Sequence, residues 1–230
     1  MKRILFFLII AVSITSCGGE TEEQSPSVNP FYEFFYPYDS VSKVYVYRDV
    51  KNGLTEQFHR VYGITDSQGK HIVVEIYSED GRILEALNYN VDSLNIHDHM
   101  VVDAKQTKNA GQLGDTQLMP LKKGDKGKFS SVFPATDSTL FLKDVSRKFE
   151  TKEYIDVMGK RVEAARFNEE TILTLMNPFS RVEGSQGFKS NAYYAKGYGL
   201  VEWHDTPSKQ VHFKLEKIIT QVEFRKLFDH

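Results

Sequence analysis

Two histidines separated by one aspartate, His97 and His99, are the residues whose types and spacing best suit a metal site. On a β-strand, residues i and i+2 project from the same face, so both imidazoles would face one ion. Zinc binds imidazole nitrogen and carboxylate oxygen, and Asp103 follows on the same stretch of chain. His97, His99 and Asp103 are therefore the candidate zinc ligands. The favoured interpretation is a solvated turn or strand edge that binds nothing, so we expect no metal.

Nowhere in the sequence do a nucleophile, a base and a residue that orients the base occur at a recognisable spacing. Gly184-Ser185-Gln186-Gly187 lacks the residue that a nucleophile elbow places between each glycine and the serine. Lys122–Lys128 is rich in lysine without the spacing of a phosphate loop, which favours a solvated hairpin tip over a site for anionic headgroups. We therefore expect no catalytic residues, no cofactor and no enzymatic activity.

The aromatic segment Phe31–Tyr38 is a candidate binding site of a different kind. It places six aromatic residues in eight positions. If exposed, Phe34, Tyr36 and Tyr38 would form a surface for a sugar or a protein partner. The alternative is a first strand that closes one end of a barrel or attaches the amino terminus to the core. Burial is favoured, because aromatic side chains gain the most from leaving water.

The amino terminus has the pattern of an export signal. Lys2 and Arg3 precede an apolar run, Ile4–Val12, and small residues follow. The run is shorter than the roughly 20 residues that span a bilayer. Ile14-Thr15-Ser16-Cys17 resembles the lipobox of bacterial lipoproteins, with an aliphatic residue three positions before the cysteine and a small one directly before it.

This resemblance implies that residues 1–16 are a signal peptide and that Cys17 is the site of lipid attachment. Acyl chains on Cys17 would hold the protein on a membrane. Residues 17–30 then read as a flexible acidic tether. Gly18 is not the aspartate that retains many lipoproteins at the inner membrane, so the resemblance favours the outer membrane. Whether the periplasmic or the cell-surface face is reached stays open.

Strand signals dominate the rest of the chain, where runs of β-branched and aromatic residues alternate with Gly, Asp and Asn turns. Asp-Gly and related turns predict an antiparallel meander from the first four strands. The predicted strands are Val44–Tyr47, Gln57–Ile64, His71–Tyr77, Ile83–Val91, Ser138–Thr151, the two arms of a hairpin at Gly159, Ala192–Tyr198, Leu200–His204 and Val211–Ile218.

Helix signals are sparse. One helix is predicted within Val222–Phe228, and a second from Thr171 with Asn168 near its start. Gly197 and Gly199 predict a tight turn or a bulge that lets Trp203 pack inside. The segment Tyr193–Trp203 is also similar to one found in exported bacterial β-sheet proteins of uncharacterised families.

Together these signals predict a mostly β fold, an antiparallel barrel, half-barrel or sandwich with few short helices. We expect residues 31–230 to form one domain. This fold class hosts lipid carriers, sugar binders, adhesins and enzymes, so the fold alone does not decide the function.

The charge composition limits the kinds of partner that the protein is expected to bind. With 29 basic and 31 acidic residues and a net charge of −2, the chain lacks the basic excess typical of nucleic-acid binding. The leading hypothesis is a lipid-anchored envelope lipoprotein that binds a glycan, a lipid or a protein without catalysis. The alternatives are a zinc-dependent envelope hydrolase using His97 and His99, and a structural surface protein or adhesin subunit.

Overall fold

The computed structural model describes residues 28–229 other than 52, 54, 104, 137, 138, 178 and 180–182. Strands make up 63% of the structure, and the described residues form one antiparallel sheet of 13 strands. The strands are β1 (Lys43–Asp49), β2 (Glu56–Asp66), β3 (Gly69–Tyr77), β4 (Ile83–Asn90), β5 (Ile96–Val102), β6 (Lys108–Ala110), β7 (Gln112–Leu113), β8 (Lys126–Thr136), β9 (Thr139–Val157), β10 (Lys160–Met176), β11 (Glu183–Ala195), β12 (Gly199–Asp205) and β13 (His212–Thr220). One helix, α1 (Gln221–Lys226), follows β13.

The sheet curls into a nearly closed barrel, which confirms the predicted fold class. Its strand order is β6-β5-β4-β3-β2-β1-β13-β12-β11-β10-β9-β8-β7, so β1 joins the two halves of the chain by pairing with both β2 and β13. The edge strands β6 and β7 are consecutive in the chain. Gly111, between these two strands, donates its N–H to His99 O of β5 at 2.8 Å. Asp115, which follows β7, accepts from Ser130 N of β8 at 2.8 Å. Residues 111–115 therefore bond to both sides of the seam.

Most predicted strands overlap the observed strands, and the predicted meander β1 to β4 is confirmed. The predicted helix from Thr171 is wrong, because Thr171 lies within β10. There it pairs with Val145 of β9 and Phe188 of β11. Two long neighbouring strands satisfy the backbone of this segment, and that pairing overrides the local helix-capping signal at Asn168.

Helix α1 packs on the outside of the barrel. Thr220 and Glu223 form a capping box, with Glu223 N donating to Thr220 Oγ1 and Thr220 N donating to Glu223 Oε2. Phe224 is buried in a cluster with Val44, Val46 and Phe58. The helix thus covers apolar side chains on the outer face of β1 and β2, where the strand alternation would otherwise expose them.

The amino-terminal segment closes one end of the barrel. It contains a 3-10 turn, Tyr32–Phe34, so the predicted first strand is wrong. Four of its aromatic side chains are nevertheless buried: Phe31, Phe34, Phe35 and Tyr36. The Phe31 ring lies 5.1 Å from Phe149 and 5.0 Å from Phe167. Such packing contributes about 1.5–3 kcal/mol per aromatic side chain, which explains why irregular backbone is held here.

The folded unit begins before this aromatic segment. Asn29, near the end of the predicted tether, is buried, and its Oδ1 accepts from Phe31 N at 2.9 Å. Its backbone N–H donates to Asp92 O at 2.8 Å. The entry of the chain into the barrel is therefore fixed by hydrogen bonds as well as by aromatic packing.

Candidate functional site

The inner faces of the barrel line a cavity of about 480 Å³ that is partly open to solvent. Phe35 and Tyr36 of the amino-terminal segment lie at one end, and Leu84, which is exposed, lies on its wall toward solvent. The walls are mainly apolar and come from both halves of the sheet: Val74, Ile76, Leu87, Tyr89, Val101, Leu118, Phe129, Phe133, Val145, Leu173, Tyr194 and Leu200. A cavity of this size and lining suits a small, largely apolar ligand.

Arg147 and Glu169 place an ion pair on the cavity wall. They are directly paired on β9 and β10, and Arg147 Nη2 lies 2.6 Å from Glu169 Oε2. The guanidinium also lies 4.9 Å from the ring centre of Tyr194. Burial alone would lower the pKa of Arg147, but Tyr194 and Glu169 outweigh burial and raise it. The guanidinium therefore stays charged and compensated inside the barrel.

Glu85 and Lys143 form a second ion pair on the wall, with Nζ of Lys143 2.5 Å from Glu85 Oε1. Burial would raise the pKa of Glu85. Lys143 and a hydrogen bond from His99 reverse this and lower the pKa to about 2. The cavity thus carries two acidic and two basic side chains in matched pairs, and its wall has no excess of either charge.

His59 contributes a neutral polar group to the same cavity. Its Nδ1 lies 3.1 Å from Tyr36 Oη, and Tyr36 Oη lies 3.1 Å from Tyr47 Oη. Burial lowers the pKa of His59 to about 3, so the imidazole is uncharged at neutral pH. The Nε2 atom is buried and has no hydrogen-bond partner among the described residues.

A smaller cavity of about 190 Å³ adjoins the first and shares His59, Arg147, Glu169 and Tyr194 with it. Trp203, the single tryptophan of the chain, lines this extension. Its ring is stacked with that of His59 at a centroid distance of 5.8 Å. The prediction that Trp203 packs inside is confirmed, since it contacts the barrel core.

His99 belongs to a polar cluster at the barrel seam. Its Nδ1 lies 2.7 Å from Ser131 Oγ of β8, and its Nε2 lies 2.8 Å from Glu85 Oε1 of β4. The order serine, histidine, carboxylate matches that of a hydrolytic triad. However, Ser131 is only 1% exposed and does not line the cavity, so a substrate carbonyl has no approach to its hydroxyl. The cluster instead joins the two sides of the seam.

The candidate ligands His97, His99 and Asp103 do not come together as a zinc site. The pairing of β4 with β5 contains a bulge, at which His97 has no residue opposite it on β4. As a result, His97 is exposed whereas His99 is fully buried. His97 packs 5.2 Å from the ring of His71. Both ring nitrogens of His99 face protein partners, which leaves neither for a metal. The shared face predicted for the two histidines is therefore wrong.

Asp103 lies beyond the end of β5, about 20 Å of extended strand from His97. Its Oδ1 accepts from the backbone of Lys105 at 2.9 Å and of Thr107 at 2.8 Å, so it stabilises a turn. Within the described part of the chain, no group of three His, Cys, Asp or Glu side chains is arranged to hold a metal ion.

The aromatic candidates have separate positions. Phe34 is buried under Lys152, whose Nζ lies 4.7 Å from the ring centre. Tyr38 is half-buried and its hydroxyl lies 2.8 Å from Thr65 Oγ1. Only Tyr36 lines the cavity, at its inner end. The three residues therefore do not form the common exposed surface that one interpretation of the sequence predicted.

Sequence reasoning missed His59, Arg147 and Glu169. Arg147 and Glu169 each sit at an inward position of an alternating strand, which is a detectable signal once the strand faces are assigned. A charged residue at such a position is unusual unless it is paired inside. The lysines of Lys122–Lys128 are exposed, as predicted.

The predicted signal peptide 1–16, the lipidation site Cys17 and the tether up to residue 27 lie outside the described residues. Among the residues that are described, none of the helical segments has the length and apolar character needed to span a bilayer.

No family model and no curated protein matches the chain. Among solved structures, the chain is similar to a candidate exported protein with a YmcC-like fold from Bacteroides fragilis, at 14% identity, covering 81% of this chain and 99% of that one, with a TM-score of 0.49. A candidate lipoprotein from Parabacteroides distasonis has 14% identity, coverage of 81% and 98%, and a TM-score of 0.46. The hypothetical lipoprotein YmcC from Escherichia coli has 12% identity, coverage of 80% and 89%, and a TM-score of 0.38. At these values the likenesses do not bear on what the chain does.

Proposed function

We propose that this chain is an exported, lipid-anchored lipoprotein that binds an amphipathic lipid inside its barrel without chemical conversion. The cavity of about 480 Å³ is the observation that carries this function. Its apolar walls match an acyl chain, and its few paired polar groups match a small head or linker group. A glycan would instead need a dense set of polar partners, which these walls do not supply.

The anchor is supported by sequence. Ile14-Thr15-Ser16-Cys17 has the lipobox pattern, and Cys17 is the single cysteine of the chain. Two or three acyl chains at Cys17 would hold the barrel at a membrane, where lipids are abundant. Attachment to the outer membrane, on either face, is part of this proposal.

The buried seam cluster argues against a hydrolase. Ser131 and His99 are 1% and 0% exposed, and neither lines the cavity. An adhesin or structural surface role receives less support as well, because four aromatic residues of the amino-terminal segment are buried rather than displayed.

Native mass spectrometry of the full chain, purified from envelopes in detergent and released from the micelle in the gas phase, tests the binding function. We expect wild type incubated with envelope lipids to carry a non-covalent lipid adduct. Val74 lines the cavity, so Val74→Phe fills space that the ligand needs and should lose the adduct. Val73 is the neighbour on the opposite face of β3, so Val73→Phe is the matched control and should keep the adduct.

Two results would overturn the proposal. One is wild type without an adduct after incubation with the lipids. The other is an equal adduct on Val74→Phe and Val73→Phe, which would place any bound lipid outside the barrel.

A further inference from the structure

His59 carries an unused hydrogen-bond acceptor inside the barrel. His59 is only 5% exposed, and it lines the cavity. Its Nε2 has no hydrogen-bond partner among the described residues. A buried polar atom left unpaired destabilises the folded state, so its retention in a residue that lines the cavity calls for a partner.

The hydrogen bonds around His59 assign its tautomer. Tyr47 Oη donates its single proton to Leu200 O at 2.8 Å. The contact between Tyr36 and Tyr47 must then use the proton of Tyr36, which leaves Tyr36 Oη as an acceptor toward His59. His59 therefore carries its proton on Nδ1, and Nε2 presents a lone pair.

Neighbouring rings hold the imidazole in this orientation. The Tyr47 ring lies 4.5 Å away, and the Trp203 ring is stacked at 5.8 Å. Because the ring is clamped and its Nδ1 is bonded to Tyr36, Nε2 cannot turn toward another protein group. A donor from a ligand in the cavity is the partner that this geometry accommodates.

We infer that the cavity selects an amphipathic ligand whose buried polar end carries a hydroxyl or amide donor to His59 Nε2. This inference rests on the proposed lipid-binding function and specifies which chemical group of the lipid the site recognises. An acyl chain would lie along the apolar walls, and its donor would lie beside His59. Ligands with only acceptors at that end, such as ethers, would leave Nε2 unpaired.

Two matched probes test the inference: 1-decanol, which donates a hydrogen bond, and decyl methyl ether, which does not. Binding of each is measured to the full chain in nanodiscs, with wild type and His59→Phe compared. Phenylalanine keeps the ring but has no acceptor. We expect decanol to bind wild type about tenfold more tightly than the variant, as one buried hydrogen bond predicts. The ether should bind both proteins equally.

A spectroscopic readout on wild type removes any dependence on how well the variant folds. With 15N-labelled histidine, the Nε2 resonance of His59 should move on adding decanol and stay in place on adding the ether. If both probes bind but neither difference is seen, this inference is wrong while the lipid-binding function stands. If neither probe binds, the proposed function fails and takes the inference with it.

Discussion

Arg147 and Glu169 face each other across β9 and β10, with Arg147 Nη2 2.6 Å from Glu169 Oε2 on the wall of an otherwise apolar cavity. The Arg147 side chain is 6% exposed, so its charge depends on this carboxylate for compensation. The pair also lies beside Tyr194, which links it to the aromatic inner end of the barrel.

Breaking one side of this pair should cost more than removing both. Arg147→Met leaves a partly buried carboxylate, and Glu169→Leu leaves a buried guanidinium, so each should lower the free energy of unfolding by about 3 kcal/mol. The double variant removes both charges and should lose less stability than either single variant. Urea denaturation of the four proteins measures this coupling. Strictly additive losses would show that the pair is not a unit.

The turn between β11 and β12 offers a matched pair of glycines. Gly197 and Gly199 both have positive φ, at 77° and 83°. A Cβ on Gly197 would meet nothing within 4 Å, whereas one on Gly199 would lie 2.3 Å from Tyr36 Cδ1. Gly197→Ala should therefore cost only the backbone strain, about 1 kcal/mol.

Gly199→Ala should cost a further 1–3 kcal/mol or so, because Tyr36 at the inner end of the cavity must move. Thermal unfolding followed by circular dichroism compares the two variants. Equal losses would mean that Tyr36 does not pack against this turn.

The buried His59 should make stability depend on pH in a definite direction. Its pKa is about 3 in the folded protein, against an ordinary value of about 6.5 in the unfolded chain. As the pH falls below about 6.5, the imidazole is protonated in the unfolded state but stays neutral in the folded state. The contribution of the neutral imidazole to the free energy of unfolding is therefore complete above about pH 6.5 and is lost progressively toward about pH 3.

Replacing His59 by phenylalanine should remove this contribution. The slope of unfolding free energy against pH, measured by urea denaturation between about pH 6 and 4, should decrease by up to about 1.4 kcal/mol per pH unit. Val73→Phe changes no titratable group and serves as the control that keeps the slope. An unchanged slope in His59→Phe would contradict the burial of a neutral imidazole.

The anchor is tested separately from the cavity. Cys17→Ser removes the thiol to which a diacylglycerol would be attached. The variant should fail to incorporate labelled palmitate, whereas wild type should incorporate it. Palmitate on the serine variant, or none on wild type, would refute lipidation at Cys17.

Local signals in the sequence predicted the strands and most hairpins well, because alternation and Asp-Gly turns act over a few residues. The barrel depends on distant pairings, such as Val44 of β1 with Ile219 of β13, which no local signal specifies. The helix predicted from Thr171 failed for the same reason, since its capping signal is local and the pairing with β9 and β11 is not.

The site was harder to predict than the fold. His97 and His99 looked paired because a regular strand places alternate residues together, but the bulge opposite Asn88 and Tyr89 separates them. His59, Arg147 and Glu169 come from three different strands and meet only when the barrel closes. Their spacing in the chain therefore carries no signature of a shared site.

Trp203 provides the most direct test of ligand entry, because it is the single tryptophan and lines the extension of the cavity beside His59. A fatty alcohol brominated along its chain quenches indole fluorescence on close approach. In nanodiscs, we expect saturable quenching for the full-length wild type and for Val73→Phe, and its loss in Val74→Phe. Equal quenching in all three proteins, or none in wild type, would contradict a lipid-binding barrel.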